Sequence, residues 1–244
     1  MNKVYATRDG WHFQFECGII ELAICILRRI FMVEKIGNCY IDENIAVGFC
    51  DELEETLIIP DGVTSIREQA FYKYYGLVSI KFPNTLTAIN DEAFAYCSNL
   101  RKVTLPENLD CIKGSFLGGA FRECKQLLDV DLSRTKISKL SSSMFYNCKK
   151  LQKVKLPRTV IKIERSVFDN CTNLVSLELN EGLKIIECDF EDNKHLSILN
   201  IPKSVIHIED LSNREHIKTI VISKTQYEMF KEYLPPKSKI LFKE

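Results

Sequence analysis

The 244-residue sequence predicts an α/β solenoid, mainly β. It would be a right-handed superhelix of about seven coils, with a parallel sheet along one side and a cap at each end. Three recurring features predict it. The first is a short apolar strand closed by proline or a polar substitute, as in Leu57-Ile58-Ile59-Pro60, Ile80-Lys81-Phe82-Pro83, Val103-Thr104-Leu105-Pro106, Val130-Asp131-Leu132-Ser133 and Val154-Lys155-Leu156-Pro157. Three more follow at Leu177-Glu178-Leu179-Asn180, Leu199-Asn200-Ile201-Pro202 and Ile220-Val221-Ile222-Ser223, and the fourth positions are separated by 23, 23, 27, 24, 23, 22 and 21 residues. The second is Phe71, Phe94, Phe121, Phe145, Phe168 and Phe190, each six residues before an aliphatic strand opener. The third is an apolar pair between proline and Phe: Val63/Ile66, Leu86/Ile89, Leu109/Ile112, Ile137/Leu140, Val160/Ile163, Leu183/Ile186 and Val205/Ile208.

A unit with three apolar edges closes into a coil that receives all of them. One such coil cannot hold itself together, because a handful of buried side chains does not outweigh the entropy of ordering about 23 residues. Neighbouring coils must supply the remainder through backbone pairing and stacking.

Composition fits a folded, soluble chain. Hydrophobic residues make up 45%, and 33 basic residues balance 33 acidic ones, so no net charge draws the protein to nucleic acid or an anionic membrane. The ten cysteines include no CxxC pair and read as reduced, structural thiols.

Taken in chain order, residues 1–56 form an N-terminal cap. Residues 17–27 are apolar except for Gly18 and Glu21, too short a run to span a bilayer, and the acidic Asp9 and Glu16 before it do not suit a signal peptide. A helix lying on the core is expected there, and with no signal-peptide pattern in this stretch a cytoplasmic location is the sequence's expectation. A strand, turn and strand over residues 38–49, turning at Asp42 to Asn44, should cover the first coil's open edge. Residues 57–223 are the solenoid. Four extra residues between Ile112 and Phe121, with Gly114, Gly118 and Gly119, mark a loop on the third full coil. Residues 224–244 form the C-terminal cap. There Thr225 and Glu228 are the expected capping box of a helix through Leu234, stopped by Pro235-Pro236 before a strand at Ile240 to Phe242.

The pattern Leu100-x-x-Val103-x-Leu105-Pro106, preceded by Leu86-x-x-Ile89-x-x-x-Ala93-Phe94-x-x-Cys97, resembles the BspA-type leucine-rich repeats. Phe-x-x-Cys recurs at Phe121/Cys124, Phe145/Cys148 and Phe168/Cys171 and gives way to Tyr74, Asn193 and Arg214 elsewhere. The resemblance implies a leucine-rich-repeat solenoid with a recognition role, adhesion or host contact, a place at the cell surface and no catalytic residues.

Alternation along the strands turns Lys81, Lys102, Asp129, Asp131, Lys153, Lys155 and Glu178 away from the coil interior. This row is the first candidate binding surface, but the signs alternate between adjacent coils, so the charges can also satisfy one another. Phe116 and Leu117 in the glycine loop are the second candidate, because the repeat does not require them. They either face solvent or fold back onto the coil. The cysteine row Cys97, Cys124, Cys148 and Cys171 suits neither disulfides nor a tetrahedral metal, since stacked positions lie about 4.8 Å apart in a line. His12, His195, His207 and His216 fall at unrelated phases, and acid pairs such as Glu54/Glu55 look solvated. The expectation is a non-catalytic scaffold without metal or cofactor that binds a protein or glycan, with a cytoplasmic assembly or oligomerisation scaffold as the alternative.

Overall fold

The computed structural model of the chain describes residues 5–7, 10–12, 33–36, 39–49 and 55–244. The expected helix over residues 17–27 lies outside the described residues. From residue 55 onward the chain is a mainly-β parallel solenoid of about eight turns. Strands Thr56–Ile58, Ser79–Lys81, Lys102–Thr104, Asp129–Asp131, Lys153–Lys155 and Ser176–Glu178 pair parallel, each one coil from the next. Ile198–Asn200 and Thr219–Ile222 continue the wall as a separate sheet closed by Lys239–Phe242. The count exceeds the expected seven because seven is the number of intervals between these eight strands.

A second wall of two-residue strands carries the Val-x-x-Ile edge. Ser65–Ile66, Ala88–Ile89 and Cys111–Ile112 form one ladder, and Lys139–Leu140, Lys162–Ile163, Ile185–Ile186 and His207–Ile208 form another. The proline phase explains the bend between the walls. Leu86, Leu109 and Val205 each donate a backbone N–H to the carbonyl of the proline three residues earlier, at 3.2, 3.2 and 3.1 Å. Proline thus opens a turn where its missing N–H leaves no ladder bond unmade.

The third side is built from turns. Gln69, Lys73, Glu92, Tyr96, Ser143, Asn147, Ser166 and Asn170, two residues before or after a Phe, have φ of 51 to 63°. A side-chain-bearing residue in this left-handed region costs on the order of 1–2 kcal/mol. The next coil offsets it: Lys73 N–H donates to the Ala95 carbonyl at 2.9 Å, Tyr96 to Arg122 at 2.9 Å, and Asn147 to Asp169 at 2.8 Å. Phe71, Phe94, Phe121 and Phe145 donate in the same direction, to Ala93, Ala120, Met144 and Val167.

Inside, the rings of Phe71, Phe94, Phe121, Phe145 and Phe168 stand in one file. Successive centroids are 5.2, 5.6, 6.1 and 6.1 Å apart, and neighbouring planes lie within 14° of parallel. All five are buried. Leu77, Leu100, Leu127, Leu151 and Leu174 make a parallel buried file.

Both caps cover open ends. Ile45–Phe49 turns back from Cys39–Asp42 and pairs parallel with Ser65–Ile66, extending the second wall over the first coil. At the other end helix α1, Lys224–Phe230, is followed by a 3-10 turn over Lys231–Tyr233. Its cap differs from the expected Thr225/Glu228 pair. Ser223 is the N-cap, its hydroxyl accepting the Gln226 N–H at 3.3 Å, and the Gln226 amide oxygen accepts the Ser223 N–H in return. Ser223 holds the proline phase of the last strand, so it is already extended when the helix begins, and Glu228 is left to pair with Lys231 at 3.0 Å. Gln226 is buried for a reason of its own: its amide donates to the carbonyls of Pro202 and Val205 at 2.7 and 2.9 Å, plugging the end of a coil.

Phe145 fills the middle of the ring file, whereas Phe116 is 74% exposed. Phe145→Ala is expected to destabilise the fold by about 3–5 kcal/mol. Phe116→Ala is expected to change it by less than about 0.5 kcal/mol. Denaturant unfolding of both variants checks the contrast.

Candidate functional site

The strand wall brings the seven predicted polar residues together in two rows. Lys102, Asp129 and Lys153 are directly opposite one another in adjacent strands, and Asp131 lies between Thr104 and Lys155, with Glu178 beside Lys155 and Lys81 beside Thr104. All seven are exposed. A shallow groove of about 310 Å³ lies over Lys102, Thr104, Leu128, Asp129 and Asp131. Part of the charge is satisfied within the wall. Lys153 Nζ meets a Glu178 carboxylate oxygen at 2.7 Å, and the hydrogen bond and charge of Glu178 raise its pKa. Asp131 is held below the usual carboxylate range first by hydrogen bonds from the hydroxyl and N–H of Ser133, then by Lys155 and Lys153.

The glycine loop is more committed. Residues 114–119 form a small hairpin closed by a bridge between Gly114 and Gly119, with the Ser115 N–H donating to the Gly118 carbonyl at 3.1 Å. Two glycines allow it to sit flush. A Cβ on Gly119 would stand 2.1 Å from the Ser143 carbonyl oxygen, and one on Gly118 would stand 2.7 Å from the Asp91 carboxylate. Side chains from the body clamp the tip: Ser143 Oγ donates to the Phe116 carbonyl at 3.0 Å, and an Arg122 guanidinium nitrogen donates to the Leu117 carbonyl. With the backbone fixed this way, Phe116 and Leu117 do not fold back and are 74% and 76% exposed.

Beside the hairpin runs a stripe that the repeat reading missed. Arg122 lies between the rings of Tyr96 and Tyr146, 5.7 and 5.0 Å from their centroids, and Lys73 Nζ lies 5.1 Å from the centre of Tyr72. Tyr72 and Tyr96 meet edge to face at 5.3 Å. The signal was in the sequence: these residues are the first or second after a Phe, in phase with the coil, where the ring file leaves a side chain on the outside.

The cysteine row is a hydrogen-bond ladder. Cys97, Cys124, Cys148 and Cys171 each point the thiol at the carbonyl of the Phe one coil earlier, Phe71, Phe94, Phe121 and Phe145, with S···O distances of 3.2, 3.3, 3.2 and 3.1 Å. Asn193, where the Phe-x-x-Cys pattern lapses, donates to the Phe168 carbonyl at 3.0 Å. Burial pushes the Cys97 thiol up to about 12, and those of Cys124, Cys148 and Cys171 up as well. His195 and His207 are exposed, and His216 is held below its ordinary value by burial and by Lys194 and Arg214. Among the described residues no three His, Cys, Asp or Glu side chains converge as a metal site, and no helix is long and apolar enough to cross a membrane.

Stacked coils with a polar strand wall and an outward hairpin define a repeat-based interaction scaffold. The repeat profile described as the BspA type leucine rich repeat region matches in six copies, over residues 43–139 and 115–220, and the chain belongs to that family. Its members are generally non-catalytic. Solved structures agree in fold. The T. pallidum leucine rich repeat protein TpLRR is 18% identical with a TM-score of 0.59, over 86% of this chain and 97% of that one. A leucine-rich repeat protein from Eubacterium ventriosum is 25% identical with a TM-score of 0.61, over 70% of this chain and 46% of its own. The pneumococcal vaccine antigen PcpA is 13% identical with a TM-score of 0.52, over 87% of this chain and 48% of its own. No curated protein matches the sequence.

Ionisation of the buried thiols gives a pH test. The unfolded chain releases thiol protons above about pH 8.5, while the folded chain retains them. Stability is therefore expected to fall as pH rises from about 8.5 toward the folded Cys97 value of about 12. Denaturant midpoints at pH about 7.5 and about 10 check the sign. Iodoacetamide at the lower pH is expected to label these four cysteines only after unfolding.

Proposed function

We propose that the protein is a non-catalytic recognition scaffold at the cell surface that docks to a protein partner through the 114–119 hairpin, with adhesion or host contact as its role. One observation carries this reading: two large apolar side chains are held in solvent by a hairpin whose backbone is clamped from Ser143 and Arg122. Binding loses least to ordering when the anchor is already rigid, and exposed Phe and Leu beside Tyr and Arg suit the pocket of a protein partner. The strand wall supports glycan or protein docking less well. Lys153 and Glu178 engage each other, Asp131 is engaged by Ser133, and none of its seven candidate residues is Trp, Tyr or Arg.

Two double variants separate the surfaces. Phe116→Ser with Leu117→Ser is expected to abolish capture of a partner from host-surface extract without moving the unfolding midpoint. Lys153→Glu with Lys155→Glu is expected to leave capture unchanged. Binding on a glycan array that the lysine reversal removes and the hairpin variant does not would overturn the hairpin as the docking element.

A further inference from the structure

The edge formed by the Phe turns changes sign along its length. On the third and fourth of these turns, residues 120–126 and 144–150 carry Arg122, Lys125, Lys149 and Lys150 against a single acid, Glu123. On the fifth and sixth, residues 167–173 and 189–195 carry Asp169, Asp189, Glu191 and Asp192 against a single base, Lys194. The four turns are consecutive and share one edge, because their Phe rings stand in file through Phe168 and the 189–195 turn is tied to the one before it by the Asn193 and Asp192 hydrogen bonds to Phe168 and Asn170.

Each half is incompletely neutralised within the chain. In the basic half, Lys125 meets Glu123 at 3.3 Å, whereas Arg122, Lys149 and Lys150 form no ion pair among the described residues. In the acidic half, Arg214 from the following coil meets Asp189 and Glu191 at 3.1 and 3.5 Å, and Asp169 and Asp192 form no ion pair among the described residues. Burial raises the pKa of Asp169, and the charges of Asp189, Asp192 and Glu191 raise it further.

We infer that this edge is a self-complementary interface through which two copies of the chain associate side by side and antiparallel. A two-fold axis between the Phe145 and Phe168 turns lays the 144–150 turn of one copy against the 167–173 turn of the other. It lays the 120–126 turn against the 189–195 turn in the same step. Every basic turn then faces an acidic one, and the contact is isologous, as a closed dimer requires. The ring of Tyr146, on a turn next to the axis, supplies aromatic area near the centre of the contact, and Arg122 packs against it from the neighbouring turn. A second copy is the occupant because its acidic half, four acids against one base, opposes this basic half, four bases against one acid, and charge complementarity fixes the antiparallel register. This inference does not depend on the hairpin as a docking element.

Light scattering on the full chain tests it. At about 0.05 M salt the mass is expected above 28.2 kDa and approaching twice that value, and it is expected to return to 28.2 kDa near 1 M salt, where screening acts within about 3 Å. Lys149→Glu with Lys150→Glu reverses the charge of the 144–150 turn, and Asp169→Lys reverses that of the 167–173 turn that faces it. Each variant alone is expected to be monomeric, and an equimolar mixture is expected to dimerise. The mixture guards against misfolding, since a damaged chain would not regain a partner. A wild-type mass of 28.2 kDa at low salt and high protein concentration overturns the inference, as does association that survives both reversals separately or a mixture that stays monomeric.

Discussion

The dependence of each coil on the next governs this molecule. A turn that places residues such as Lys73, Tyr96 and Asn147 in the left-handed region is unfavourable on its own, and it persists because the following coil presents a carbonyl to each of these three N–H groups. The Phe file, the thiol ladder and the two strand walls repeat the same arrangement with different chemistry. In each, a group on one coil finds its partner about one strand spacing away and almost none within its own turn. The ends are consequently special. Cys39–Asp42 with Ile45–Phe49 supplies partners at the first coil, and the buried Gln226 supplies them near the last by donating to Pro202 and Val205.

Those features were unequally legible in the sequence. The strand, the Val-x-x-Ile edge and the Phe are apolar and periodic, so they declared the solenoid and its interior directly. The outward strand residues followed from alternation. Hydrogen bonding was harder to see, because Cys reads equally well as a small hydrophobe and as a donor, and it is Asn193 in place of a Cys, donating to the same Phe carbonyl, that shows the position demands a donor. Likewise Thr225 and Glu228 have the capping-box spacing, yet the strand's own phase delivers Ser223 in extended geometry two residues earlier. The Tyr72, Tyr96, Arg122 and Tyr146 stripe escaped because polar and aromatic side chains at one phase have no shared hydropathy, although they share a position.

The hairpin shows where this scaffold departs from repetition. Its coil is the longest, with 27 residues between Pro106 and Ser133, and the added length is used for contact with neighbours before it is used for display. Gly118 and Gly119 bring the backbone against Asp91 and Ser143, one coil on either side. Arg122 has two tasks in the same place, since it lies between two tyrosine rings and also holds the Leu117 carbonyl. Exposure of Phe116 and Leu117 is therefore a product of the body's geometry.

The two walls are interrupted at different heights. The strand wall changes sheets between Ser176–Glu178 and Ile198–Asn200, whereas the second wall changes between Cys111–Ile112 and Lys139–Leu140. Masonry gains strength when the vertical joints of successive courses are offset, and a pulled solenoid obeys the same geometry. No flat crack can follow both seams, so a tensile load that reaches one weak joint meets an intact ladder on the opposite wall.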